Sequence, residues 1–235
     1  MDRPWEHLDR LAGRDAASAV AGYCHLQLVH LKHQERIYSG LFGDQQRVEV
    51  MNAASGPVAK VMQDALFDMI VLGICRLLDP AGPARKPVRN LTFALLIDLL
   101  PMPDRQDEYH AELKKLRADA ASLLDRRNKH IAHADSAAVE EGAEVGWVSV
   151  RQIKTALDDM HDLLRRICVN ELGEQLSGWE PNDHHELQFL RALAFGNAAR
   201  EQKLIAWEKA AMAALPEDLP DPEDIYPEWL RSPLG

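Results

Sequence analysis

The sequence predicts an all-α bundle of about six helices followed by an acidic, proline-rich C-terminal tail. Three observations carry that fold class. None of the 13 prolines falls inside the long apolar-periodic stretches. Within those stretches apolar residues recur at three- and four-residue spacing, as at Leu113, Leu116, Ala120, Leu123 and Leu124, or Ile153, Leu157, Met160, Leu164 and Ile167. The single strand-like fragment, 145–150, has no partner elsewhere and reads as an extended lead-in to a helix.

Taken in order, the first helix is expected over 5–38, with Gly13 as a candidate break. Pro57 follows Ser55-Gly56, a favourable first-turn position, and opens a helix over 57–79. Pro80, Pro83 and Pro87 end it, and Pro101 and Pro103 close a short helix over 90–100. The fourth and fifth helices are expected over 104–133 and 150–172. Pro181 and the cap signal Asn182-Asp183 open the sixth, over 183–215. No fixed-period repeat occurs, so a solenoid is excluded. From Pro216 onward five prolines and six acids stand against one arginine, a composition that neither propagates a helix nor builds a core. The expected division is therefore a bundle over 1–215 and a tail over 216–235. Ile225, Tyr226, Trp229 and Leu230 are the tail's candidate docking anchors, and a loosely packed extension is the alternative.

A chain of 235 residues suits one domain of moderate size and hides roughly 70% of its unfolded surface. Hydrophobic residues at 46% and charged residues at 27% exclude wholesale disorder. A formal charge of −10 disfavours a protein that coats nucleic acid by bulk attraction. Half of that charge belongs to the tail, however, while the run from Arg126 to Lys129 holds three cations and no acid. A small basic cleft is thus compatible with the balance. Cys24, Cys75 and Cys168 have no metal-type spacing and read as reduced core thiols. The apolar runs 67–78 and 91–100 are too short to cross a bilayer, and the charged N-terminus lacks a signal-peptide core. A soluble cytoplasmic protein with no membrane contact is expected.

Chemistry concentrates in LLDRRNKHIAHAD, residues 123–135. On an ideal helix Arg126, His130 and His133, at i, i+4 and i+7, project from one face. Arg127 precedes His133 by six residues, about 120° around the helix, a gap that a long guanidinium spans in large part. Arginine offers a planar fork of donors that matches a phosphate, and histidine exchanges protons near neutral pH. Together they can hold a phosphodiester and move a ribose 2′-OH proton without a metal. The competing structural reading is equally concrete. Cations at a helix C-terminus offset the macrodipole, and the two arginines can pair with Asp119, Asp125 or other acids at the surface. Spacing alone leaves both open.

RNKHIAHAD resembles the Arg-x(4–6)-His signature of HEPN domains (higher eukaryotes and prokaryotes nucleotide-binding), with polar Asn128 directly after the arginine. The wider order is similar to the AbiU2-like branch, named for an abortive-infection protein. A long helix ends in Arg76-Leu77-Leu78-Asp79, a Pro/Gly loop follows, then a short helix from Asn90 to Phe93, then the RNKHIAH element. The resemblance covers roughly 20–170 and implies a HEPN-like bundle. It places the family motif on Arg127, Asn128 and His133, with Arg126, Lys129 and His130 as neighbouring RNA or phosphate contacts. Arg126 remains the geometrical rival of Arg127 for the phosphate. The family's active members cleave RNA without metal or cofactor, through two motifs facing each other across a homodimer, and leave a 2′,3′-cyclic phosphate. The expectation is a metal-independent endoribonuclease of phage defence or a toxin–antitoxin system, with a nucleotidyltransferase-type antitoxin as a candidate partner. The alternative is a non-catalytic HEPN-like dimer that binds a protein or a nucleotide.

Other clusters carry less. Asp79 reads either as a carboxylate orienting the Arg/His motif or as a helix-end ion-pair residue. His130, His133 and Asp135, with His30 and His33, form a candidate metal set, but no HExxH and no nearby cysteine supports a metal-dependent hydrolase. Trp147, Trp179 and Trp207 lack the basic neighbours of an RNA-stacking platform and read as core or docking residues. His184-His185 reads as solvated. No Gly-rich phosphate loop or nucleophile elbow is present.

Overall fold

The computed structural model describes residues 7–8, 10–82, 89–131, 148–176, 184–213, 215, 221–227 and 230, with backbone alone at His130, Ile131, Pro222 and Asp224. Seven α-helices occur among them, and no strand. They are α1 (Gly13–Phe42), α2 (Gln45–Leu78), α3 (Phe93–Asp98), α4 (Pro103–Asp119), α5 (Ala121–Arg126), α6 (Val150–Ile167) and α7 (His185–Ala213). A π-helical turn, Arg127–Ile131, continues α5, and a second, Cys168–Leu172, continues α6. The described residues divide into two compact units, Met1–Ser39 with Met62–Asp183, and Gly40–Val61 with His184–Gly235.

The first unit holds the large apolar core. Ala17, Val20, Ala21, Cys24, Leu28 and Leu31 line one stripe of α1 and meet Ile70, Val71, Ile74, Cys75, Leu77 and Leu78 of α2. At Gly73 the helices touch so closely that a Cβ would collide with Leu31. Helix α3 is buried along 93–97, so it is apolar all round and serves as core rather than cover. Buried Thr92 starts it, its Oγ1 accepting from Leu95 N at 3.3 Å. Asp98 at its far end takes hydrogen bonds from Arg89 at 2.5 Å and His110 at 3.0 Å. Helix α6 begins with a reciprocal capping box between Ser149 and Gln152, the extended lead-in expected at 145–150 being visible at Ser149. Its buried face, Ile153 through Ile167, closes the core. Tyr109 Oη and Arg105 Nε both donate to Glu171 Oε1 at 2.9 Å, tying α4 to the turn after α6.

Two details depart from the periodicity. The stretch read as one helix over 104–133 is broken at Ala120, where ψ is 14°, and leaves α-geometry again at Arg127. The apolar spacing survives the break because Ala120 is itself buried. Helix α2 starts twelve residues earlier than Pro57 allows as a first-turn residue. Asp44 Oδ1 caps the additional piece by accepting from Gln46 N at 2.9 Å, and Ser55, at φ −168° and ψ 106°, steps out of the helix so that Pro57 opens a new one. Gly13, at φ +54°, starts α1 in the left-handed region, so the break expected there falls at the helix start.

In the second unit, Asn197 Nδ2 donates to Val50 O at 3.0 Å and the Arg200 guanidinium donates to Ala53 O and Ala54 O. The Arg200 contacts satisfy carbonyls that the Ser55 step leaves without helical partners. Lys203 Nζ donates to Ile225 O at 3.0 Å, which seats the described part of the C-terminal segment, with its short 3-10 helix Pro222–Ile225, against α7. Trp229 lies outside the described residues. No described helix is long and apolar enough to cross a membrane.

All three cysteines are free and buried. Burial pushes the Cys75 thiol up to about 11 and the Cys168 thiol up to about 12, and drives Cys24 in the same direction. The folded thiols keep their protons to higher pH than unfolded ones, so their contribution to stability is complete below pH 9 and is lost as pH rises through 11 to 12. Because the thiolate is the reactive form, the native chain at pH 8 is expected to react with a disulfide reagent orders of magnitude more slowly than the urea-unfolded chain. Fully buried Leu96, truncated to Ala, is expected to cost about 2–5 kcal/mol in denaturant unfolding.

Candidate functional site

The apolar run of α2 contains two carboxylates, Asp68 and, just past its end, Asp79. Eleven residues separate them, about three helical turns, so they emerge from the same side roughly 16 Å apart along the axis. The end of α5 delivers one guanidinium to each. Arg126 donates to Asp68 Oδ1 from Nη2 at 2.8 Å and from Nε at 3.3 Å, and its guanidinium lies 4.9 Å from the centre of the Phe67 ring. Phe67 in turn tilts against Tyr38 of α1, with ring centres 5.5 Å apart. Arg126 is thereby occupied on its edge and on its face.

Arg127 sits at the first position of the π turn. Its Nη1 donates to Asp79 Oδ1 at 2.5 Å and its Nε donates to Asn128 Oδ1 at 3.1 Å. Its Nη2 makes no hydrogen bond among the described residues. Asp79 is held from behind, because Arg117 Nε donates to the carbonyl of Leu78 at 2.6 Å and fixes the last turn of α2. Burial pulls the Arg117 pKa down and the nearby Asp79 charge opposes that pull. Cys75 lies one turn below Asp79, where burial raises its pKa, Arg127 lowers it and Asp79 raises it again. Deeply protonated, it is a packing residue here.

The remaining sequence candidates divide. Lys129 pairs with Asp125 at 3.0 Å, both side chains nearly half exposed, as on any solvated helix face. The side chain of His130 and all of His133 and Asp135 lie outside the described residues, as do Trp147 and Trp179. Among the described residues no three His, Cys, Asp or Glu side chains group as metal ligands, His30 and His33 included. Two elements quoted from the sequence do come together: the ends of Arg76–Asp79 and Asn90–Thr92 line one cavity of about 160 Å³, with Asp79 shared between this cavity and Arg127. Asn90 closes the joint, its N donating to Ala81 O at 3.0 Å and its Nδ2 to Pro80 O at 3.2 Å.

Sequence reasoning did not single out Asp68, Phe67 or Arg117. A signal existed for the first: a charge inside the most apolar run of the chain must find an opposite charge or stay costly. Chemically, the site presents one guanidinium with a free edge, oriented by a carboxylate and an amide, at a break in helical hydrogen bonding.

This all-α bundle, with its Arg-Asn element at the end of α5 and the RLLD end of α2 against it, is a HEPN-like domain. A family model described as AbiU2 matches residues 16–187, and the chain belongs to the HEPN AbiU2 family, an abortive-infection-related group of HEPN domains. No curated protein and no solved structure matches it.

The Arg127–Asp79 pair, with side chains 20% and 32% exposed, is expected to couple more strongly than Lys129–Asp125. In double-mutant cycles to Ala, read by urea unfolding, the first pair should give an interaction energy of about 0.5–3 kcal/mol and the second no more than about 0.5 kcal/mol.

Proposed function

We propose that the protein is a metal-independent endoribonuclease that works as a homodimer, with two Arg/His motifs forming a composite site. What supports this reading is Arg127: its guanidinium is oriented by Asp79 and Asn128 yet keeps Nη2 open, at a π turn of the kind that recurs at functional sites. In the proposed reaction Arg127 holds the non-bridging oxygens of the scissile phosphate. His133 of one motif takes the 2′-OH proton, and that oxygen attacks phosphorus. His133 of the facing motif protonates the departing 5′-oxygen, so a 2′,3′-cyclic phosphate and a 5′-OH result. Asn128, already bonded to Arg127, fixes the guanidinium rather than reading the substrate on its own. Arg126 is committed to Asp68 and Phe67 and supports the helix end, which favours Arg127 as the phosphate ligand in this reading.

A second reading has its own observation. Asp79 already neutralises Arg127 at 2.5 Å, an arrangement that suits a non-catalytic dimeric module as well as an oriented catalyst. The two readings separate cleanly in one assay. The endoribonuclease cleaves RNA in EDTA, yields cyclic phosphate ends, and loses at least about 100-fold in rate on His133→Ala or Arg127→Ala. A folded His133→Ala protein that cleaves at the wild-type rate eliminates it. The absence of cleavage by an intact dimer selects the binding module. A nucleotidyltransferase-type antitoxin remains the proposed partner, and co-expression followed by co-purification tests it.

A further inference from the structure

The cavity beside Asp79 contains a cation that nothing else uses. Arg76 is exposed at its mouth and makes no hydrogen bond or ion pair among the described residues. The other described arginines around this end of the bundle are engaged: Arg89 on Asp98, Arg117 on Leu78 O, Arg126 on Asp68, Arg127 on Asp79. An unpaired guanidinium over a concave polar surface is a phosphate-binding element, since its planar fork matches phosphate oxygens two at a time.

The interior limits what that phosphate is attached to. About 160 Å³ is well below the roughly 300 Å³ at which pockets for whole ligands begin, so one base fits and the rest stays at the mouth. Tyr23 and Leu77 supply aromatic and apolar wall for a base face, and Gln27 a side-chain amide that both donates and accepts. Two of the fixed polar groups in the lining, Asp79 and Asn90, offer acceptor oxygens. Asp79 spends Oδ1 on Arg127, and its Oδ2 takes no hydrogen bond among the described residues. Asn90 commits one Nδ2 hydrogen to Pro80 O, and its Oδ1 accepts no hydrogen bond among the described residues. Both are held in place before any ligand arrives, Asp79 through Arg127 and the Arg117 clamp on Leu78, Asn90 through its two bonds to 80–81. Preorganised acceptors select a base edge that donates.

We infer that this cavity is a nucleotide subsite for RNA, taking a base with an exocyclic amino group while Arg76 holds the adjoining phosphate. The inference deepens the proposed function, on whose reading of this end as RNA-facing it rests. Because Asp79 touches both Arg127 and the cavity, the base in the subsite belongs to a nucleotide next to the scissile phosphate, and cleavage acquires a base preference there.

The test uses the full chain, AMP, CMP and UMP as probes, and Arg76→Gln, an exposed change with no partner to lose. In calorimetric titrations AMP and CMP should bind about tenfold more tightly than UMP, because uracil leaves a fixed acceptor unpaired. Arg76→Gln should weaken all three about tenfold. On oligonucleotide substrates the same variant should raise KM with kcat within about twofold, and wild-type cleavage should favour A or C over U at one position flanking the cut. Equal binding of UMP and AMP, no binding of any mononucleotide, or an Arg76→Gln protein indistinguishable from wild type overturns the subsite. Arg76-dependent mononucleotide binding without any RNA cleavage upholds the subsite and sinks the endoribonuclease reading instead. RNA cleavage with an unaltered KM in Arg76→Gln and no base preference in the wild type does the reverse.

Discussion

Two carboxylates on one side of the most apolar helix constrain everything at this end of the bundle. Asp68 lies on α2 and Asp79 just past its end, and the stretch between them buries its opposite face, so neither can be turned away without pulling Ile70, Ile74 and Cys75 out of the core. Leaving them partly desolvated and unpaired is costly. The solution is a pair of consecutive arginines at the end of α5, and consecutive residues on a helix point about 100° apart. Arg126 and Arg127 therefore serve acids three turns apart, which fixes both the rotation of α5 and its position along α2.

That constraint assigns different duties to two residues that look alike in the sequence. Arg126 has two hydrogen bonds to one carboxylate oxygen and an aromatic face against its guanidinium. Arg127 has one carboxylate, one amide and an open edge. Substrate chemistry needs donors that are fixed in direction yet unspent, and in the proposed reading the second arginine supplies them through Nη2. The ion pair thus holds the helix end in place and orients the proposed phosphate ligand, so the capping reading and the catalytic reading of this motif describe the same atoms. Asp79 extends the coupling further, since it also lines the cavity formed by the ends of α2 and the 90–92 segment.

Much of the fold was legible because core helices repeat their apolar residues at helical spacing and prolines mark where they stop. Helices near 57–79, 90–100, 150–172 and 183–215 follow from those two rules. What escaped was local and electrostatic. The piece of α2 before Ser55 has a weak apolar stripe and depends on Asp44 and on Arg200 and Asn197 from a helix about 150 residues away in sequence. The break at Ala120 is invisible to periodicity because a small buried residue fits either geometry. The family motif was legible at Arg127 and Asn128, whereas the roles of Asp68, Phe67 and Arg117 depend on contacts 39 to 59 residues apart in sequence.

By itself the sequence determined an all-α chain, its family, and the narrow stretch where cations and histidines gather, since each is a matter of residue type and spacing along one helix. Only the tertiary structure decided that Arg126 pairs with Asp68 and Arg127 with Asp79, and that Arg76 and Asn90 share a cavity with the latter carboxylate. The reason is reach: a guanidinium finds its partner among whatever the packing of neighbouring helices places within about 3 Å of its donors, and that packing is set by the buried faces, not by the charged ones.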